Sequence, residues 1–157
     1  LIMRTSSYYL KWLGPDDWII GTERAGAPIC QEMARLLGCR YATVEKDDRG
    51  NPTVFKRFEM AGGRHVLLVN DLLSHDNGST YMSVVAVHEA WPEAEILPVA
   101  LHLVNRSGKK TLADGRTIVQ ALLEYEAREY PADNCELCKG GSPAKKFKAN
   151  KAEFFAA

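Results

Sequence analysis

"HVLLVNDLLSHDNGST", residues 65–80, opens as a continuous apolar run and closes in small polar residues, with Asp71 at the junction. The run "HVLLV" (65–69) reads as a strand covered on both faces, because unbroken apolar sequence bounded by a turn suits the inside of a parallel sheet. After the polar turn, "TYMSVVAVHEAW" (80–91) reads as a helix and "AEILPVALHLV" (94–104) as a second buried strand.

Upstream, "WIIG" (18–21) reads as a buried strand that reaches a glycine, and "TERAGAP" (22–28) supplies a turn. "PICQEMARLLG" (28–38) predicts a helix: Pro28 suits its first turn, Ile29, Met33, Leu36 and Leu37 share one face, and Gly38 ends it. "CRYATVE" (39–45) returns as a strand, "KDDRGNP" (46–52) is a polar loop, and "TVFKRFEM" (53–60) alternates like a half-exposed strand. The periodicity of "TIVQALLEYEAREY" (117–130) fits a helix or a strand. Strands alternating with helices predict an α/β fold with a parallel central sheet flanked by helices. Residues 1–130 are expected to form a single domain. A polar C-terminal tail follows over 131–157, with lysines at 145, 146, 148 and 151.

The chain has 157 residues, enough to bury a core without disulfides or metal. Its 20 basic residues balance 20 acidic ones, so no global field favours nucleic acid or a membrane surface. Any bound anion must be held by a local cluster. No apolar stretch approaches the ~20 residues of a membrane span. Cys30, Cys39, Cys135 and Cys138 read as reduced thiols rather than a disulfide framework, which suits a cytoplasmic protein.

In such folds ligands bind where strands end and helices begin. Two glycine-bearing turns, 22–28 and 74–80, fall at that edge. Ser74, Asn77, Gly78, Ser79 and Thr80 offer hydroxyls and backbone amides around a helix N-terminus, an arrangement that holds a phosphate or simply caps the helix. Asp71, just ahead of them, can accept hydrogen bonds from sugar hydroxyls.

That combination resembles the signature of the type I phosphoribosyltransferases, in which an acidic pair precedes a Thr-Thr-Gly-Gly-Ser-like loop. Here the pair is Asn70-Asp71 and the loop runs Ser74-His75-Asp76-Asn77-Gly78-Ser79-Thr80, one residue longer. Five further segments resemble the orotate phosphoribosyltransferase family in particular: "SSYYLKW" (6–12), "GTERAGAP" (21–28), "VEKDDRGNPTVFKRF" (44–58), "VNRSG" (104–108) and "YPADNCELCKGGSPAKK" (130–146).

The resemblance implies a Rossmann-like fold and a Mg²⁺-dependent enzyme of pyrimidine biosynthesis. It would transfer ribose 5-phosphate from phosphoribosyl pyrophosphate to orotate. It assigns phosphoribosyl pyrophosphate to Asn70, Asp71, Ser74, Asp76, Asn77, Gly78, Ser79 and Thr80, and to the Glu23-Arg24-Ala25-Gly26 turn. Asp71, Lys46, Lys56 and Arg57 would serve the transfer itself, the cations stabilising charge that grows on the departing pyrophosphate. Lys11 and Arg106 would orient orotate, the arginine by a two-pronged grip on its carboxylate. Mg²⁺ would be held mainly by substrate oxygens, with no all-protein metal cage. Because the basic loop often serves the neighbouring subunit's site, a homodimer is the expected working unit.

Asn70 stands where the family has an acid, and Asn105 where it has an aspartate. The interval from Lys11 to Gly21 is also short for the family. These departures leave a second reading open: a protein of the same fold that binds a nucleotide or phosphoribosyl pyrophosphate without turnover. A third reading is transfer to another base. Glutamate at position 70 is expected to raise activity if the missing charge is what limits it. Cys135 and Cys138 form half of a zinc-ribbon signature, and a dimer would supply the second pair. Their polar setting argues against a thioredoxin-like redox pair. Cys30 and Cys39 read as core or near-core thiols, His75-Asp76 as a loop rather than a dyad, and His65, His88 and His102 as structural.

Overall fold

Five parallel strands and one antiparallel edge strand make a single sheet in a computed structural model that describes residues 7–47, 49, 52–54, 64–74, 78–125, 127 and 130–141. The strands are β1 (Trp18–Thr22), β2 (Arg40–Lys46), β3 (Pro52–Val54), β4 (His65–Leu73), β5 (Glu95–Asn105) and β6 (Ile118–Glu124), in spatial order β3-β2-β1-β4-β5-β6. Only β3 runs antiparallel, against β2. Helices α1 (Ser7–Leu10), α2 (Glu23–Leu37) and α3 (Gly78–Ala90) complete this part of the chain.

Alternation along the strands divides the core between the two faces of the sheet. Ile20, Val66, Leu68, Ala100 and Val119 pack with Val84, Ala86 and Val87 of α3. Ile19, Leu67, Val69, Val99 and Leu101 pack with Cys30, Met33 and Ala34 of α2, alongside Tyr9, Leu10 and Leu13. Four successive residues of β4, Val66 to Val69, are at most 1% exposed. At roughly 1.5–3 kcal/mol for each such side chain taken from water, this strand anchors both layers.

Two expectations change. The turn expected over residues 22–28 is helix: α2 begins at Glu23, and Pro28 lies inside it. Two glycines permit the early start. Gly26 sits against the Gly21 backbone and the Val69 carbonyl oxygen, where a side-chain carbon would come within 3.1 Å of either. Pro28 then forgoes one bond of the ladder close to the helix end. The ambiguous stretch from 117 resolves as strand, because Ile118–Glu124 finds an open edge of β5 and pairs with it in parallel. Of the expected strand 53–60, residues 53 and 54 belong to β3, while 55–60 lie outside the described residues.

The helix stop at Gly38 has a plain cause. Its φ of 70° is left-handed, and its N–H donates to the Ala34 carbonyl. At the amino end of the sheet, buried Asp17 ties β1 to β4. Its Oδ1 accepts from the N–H groups of Arg64 and His65 at 2.8 Å each, while Oδ2 accepts from Gly14 N–H and lies 3.3 Å from His65 Nδ1.

The chain separates into two compact units, Leu1–Glu126 and Ala127–Ala157. The second contains a short 3₁₀ turn, Ala132–Asn134, and the four-residue helix α4 (Glu136–Lys139). Among the described residues, no helix is long and apolar enough to cross a membrane.

Candidate active site

The strand order reverses between β1 and β4. From β1 the chain passes through α2 to β2 on one side; from β4 it passes through α3 to β5 on the other. Because α2 and α3 cover opposite faces, the carboxyl ends of β1 and β4 flank a topological switch point. Open α/β sheets hold their ligands in the crevice at such a point.

Both helix starts border it. Thr22 precedes α2 in extended conformation, fully buried, and its hydroxyl has no hydrogen-bond partner among the described residues. Glu23, Arg24, Ala25 and Gly26 form the first turn of α2, with Gly26 buried and Ala25 exposed. The side chains of Glu23 and Arg24 lie outside the described residues. Gly78, Ser79 and Thr80 form the first turn of α3, where backbone N–H groups point out of the helix instead of into its ladder. Ser74 follows β4 half-buried, whereas Asp76 and Asn77 lie outside the described residues.

Asp71 stands near the carboxyl end of β4, half-buried, on the face that α2 covers. Its carboxylate makes no hydrogen bond or ion pair among the described residues, so it is free to receive a ligand. Asn70 points to the opposite face and is 5% exposed. Its Nδ2 donates to the Leu72 carbonyl and to Thr80 Oγ1, both at 3.2 Å, and its Oδ1 accepts from Asp71 N–H at 2.9 Å. Thr80 Oγ1 also lies 3.2 Å from His102 Nε2. Asn70, Thr80 and His102 thus join β4, α3 and β5 beneath the start of α3. Burial pushes the His102 imidazole down to about 4, only partly countered by the Ala100 backbone and the negative charge of Asp71. At neutral pH this histidine is uncharged.

On the far side of Asp71, Arg106 follows β5, and its N–H donates to the Leu73 carbonyl at 3.1 Å. Asn105 beneath it is 1% exposed. Its Nδ2 donates to the Lys109 carbonyl, and its Oδ1 accepts from Ser107 N–H and Oγ. An aspartate could not make the first of these bonds, so the departure at 105 serves the turn that carries Arg106.

The remaining expected residues are more scattered. Lys46 ends β2 at the same carboxyl edge and is exposed. Lys56 and Arg57 lie outside the described residues. The structure does not bring Lys11 to the crevice within this chain. Its ammonium lies over the Tyr8 ring, 4.1 Å from the centroid. The adjacent Trp12 meets His65 edge-on at the amino end of β4, and six residues of strand, about 20 Å, separate His65 from Asp71. Two groups in the site's surroundings escape a reading of the sequence. Thr22 is one polar letter in an expected turn, and His102 has no partner nearby in the chain. The available signal for His102 is its place within a buried strand, in register with Asn70.

No protein-family model matches the chain. The orotate phosphoribosyltransferase of Desulforamulus reducens is 33% identical over 128 residues, covering 82% of this chain and 63% of that protein. An orotate phosphoribosyltransferase of Thermus thermophilus is 29% identical over 127 residues, covering 81% of this chain and 66% of that protein. This chain therefore spans less than two thirds of the length of these curated relatives. Among solved structures, the orotate phosphoribosyltransferase of Aeropyrum pernix superposes with a TM-score of 0.53 at 19% identity, over 79% of this chain and 75% of that one. The adenine phosphoribosyltransferase of Rhodothermus marinus gives 0.56 at 17% identity, over 78% of this chain and 76% of that one. The fold is that of the type I phosphoribosyltransferases, and over about four fifths of its length the chain is similar in sequence to orotate phosphoribosyltransferases.

Proposed function

We propose that the crevice between β1 and β4 holds phosphoribosyl pyrophosphate and passes its ribose 5-phosphate to orotate, giving orotidine 5′-phosphate and pyrophosphate. One observation carries this reading. A carboxylate without a protein partner among the described residues, Asp71, stands at the switch point between two helix starts, whose first backbone N–H groups lie outside the helical ladder and suit an anion.

Asp71 accepts hydrogen bonds from the ribose hydroxyls and places a negative charge near the ring as positive character develops at C1. The N–H groups opening α3, with the hydroxyls of Ser74 and Ser79, hold the 5′-phosphate. Thr80 contributes only its backbone, because its hydroxyl already serves Asn70 and His102. Asp76 and Asn77 are assigned to the 5′-phosphate by resemblance alone. The start of α2, with the unpartnered hydroxyl of Thr22, receives the pyrophosphate end, and Lys46 adds charge from the end of β2. Arg106 grips the orotate carboxylate. Lys56 and Arg57 are assigned to pyrophosphate by resemblance alone, as is the homodimer through which their loop would act. Lys11 would need a different path to orotate, such as a second copy of the chain.

Asp71 also fits Mg²⁺, a cation bound through one or two carboxylates together with phosphate oxygens. When bound, Mg²⁺ supplies positive charge to the leaving pyrophosphate.

Pyrophosphate release from phosphoribosyl pyrophosphate and Mg²⁺, followed across a panel of bases, tests the reading. Orotate should support release, and Asp71→Asn should slow it by about 100-fold. Release with adenine but not orotate would transfer the assignment to another base. A second reading, binding without turnover, draws on Asn70. Its amide is committed to Leu72, Thr80 and Asp71, which leaves one carboxylate rather than two for the ribose. Binding of phosphoribosyl pyrophosphate with no release for any base would favour it.

A further inference from the structure

Two cysteines that the transfer chemistry does not use lie in the second compact unit. The backbone folds Cys135 to Gly141 into tight turns: Lys139 N–H donates to the Cys135 carbonyl at 2.9 Å, Gly140 N–H to Glu136 at 2.9 Å and Gly141 N–H to Cys138 at 3.1 Å. Positions three apart in such a turn share a face. The two side chains accordingly fall on the same side of the turn, where each shifts the titration of the other. Both residues are partly exposed, and both are reduced.

The four cysteines divide by environment. Burial pushes the Cys30 thiol up to about 11, and burial with the charge of Asp17 raises Cys39. Cys138 is raised by the hydrogen bond it gives to Cys135. Cys135 alone is lowered, first by Cys138 N–H and then by the Cys138 thiol. The turn therefore favours a thiolate at Cys135 over one at Cys138. Zinc would need four ligands, and among the described residues no group of three His, Cys, Asp or Glu side chains could hold a metal ion.

We propose that Cys135 and Cys138 form a dithiol–disulfide pair, with Cys135 the attacking thiol and Cys138 the resolving one. The oxidant is a low-molecular-weight disulfide. Cys135 loses its proton to solvent and attacks one sulfur of that disulfide, breaking its S–S bond and expelling one thiolate. Cys138, deprotonated in turn, attacks the Cys135 sulfur, forms the Cys135–Cys138 bond and expels the second thiolate. The protein gives up two electrons and two protons, and the oxidant is reduced to two thiols. The turn that brings the sulfurs together overrides the expectation drawn from the polar setting of the pair.

The test uses the full chain, reduced, freed of reductant and exposed to glutathione disulfide. Acid quenching, alkylation and mass spectrometry then follow the products. The wild type should gain an internal Cys135–Cys138 disulfide with no glutathione retained. Cys138→Ser, which keeps a hydroxyl donor beside Cys135, should stop at one glutathione on Cys135. It should form that adduct about 10-fold faster than Cys135→Ser acquires one on Cys138. Absence of the internal disulfide at every glutathione ratio would overturn the proposal. Equal adduct rates in the two variants would overturn the assigned roles. Zinc bound at one ion per two chains, shielding both thiols from glutathione until chelated, would replace the redox pair with a shared metal site.

Discussion

Gly21 and Gly26 meet where β1 becomes α2, so closely that a side-chain carbon on Gly21 would stand 2.5 Å from the Gly26 carbonyl oxygen and 2.8 Å from Cys30 Sγ. The contact fixes where the first turn of α2 lies against the end of β1, and therefore one wall of the crevice. Gly21→Ala must displace backbone, and we expect a loss of about 3 kcal/mol in denaturant unfolding. Gly26→Ala meets backbone atoms at 3.1 Å, a milder clash, and regains about 1 kcal/mol of helix propensity. The glycine at 21 should prove much the more costly to replace; equal losses would contradict this account of the turn.

Asn70 and Thr80 reverse an expectation. The sequence alone suggests that an acid at 70 would restore activity. In the structure both hydrogens of the Asn70 amide are donated, inside the protein. Asn70→Asp removes both donors and buries a charge, so it should cost at least about 2 kcal/mol of stability and lower turnover. Asn70→Glu should fare worse, having an extra methylene to place. Unfolding midpoints and turnover measured on the same preparations decide the matter. A stable, faster Asn70→Glu enzyme would show that charge at this position outweighs the hydrogen bonds.

His102 gives the protein a pH signature. Its folded-state value of about 4 lies below the ordinary 6.5, so the unfolded chain takes up a proton that the folded chain refuses. Stability is complete above pH 6.5, is lost as pH falls from 6.5 toward 4, and stops falling on this account below that. The loss amounts to about 3 kcal/mol. Asp17 and Asp114, whose carboxyls are held below their usual range, lose their contributions only below about pH 4, outside this window. His102→Gln should flatten the decline between pH 6.5 and 4.5 in unfolding experiments, and an unchanged slope would contradict it.

Asp17 offers a control at the opposite end of the sheet. Burial alone would raise its carboxyl, but N–H groups of Arg64, Gly14 and His65 more than offset this. Asp17→Ala leaves those donors unpaired and should cost about 3 kcal/mol. Turnover per folded molecule should stay near wild type, because β4 separates this corner from Asp71. A selective loss of turnover in fully folded protein would mean that the two ends of β4 are coupled.

Much of this architecture can be read from local pattern. The buried run 65–69, the helix ending at Gly38 and the strand through residue 104 each announce themselves by composition. The start of α2 does not, because it depends on Gly26 meeting Gly21, a contact between two elements that no local pattern encodes. The 117–130 stretch is ambiguous in sequence because the open edge of β5, not its own periodicity, makes Ile118–Glu124 a strand. At the site, Asp71 and the helix start at 78–80 are legible as residue types in order. The roles of Asn70, Asn105 and His102 are not, since each is defined by partners that the local sequence does not name. Asn70 and Asn105, read in sequence as departures from a motif, are buried amides that use both donor and acceptor.

Hydrogen exchange of backbone amides, with and without phosphoribosyl pyrophosphate and Mg²⁺, reads whether both helix starts hold the ligand. The N–H groups that open a helix stand outside its ladder, and a bound anion protects them. Exchange should slow over residues 22–26 and 71–80 when the ligand is added, with β6 and residues 130–141 unchanged. Protection absent from both helix starts, or confined to another part of the chain, would contradict this.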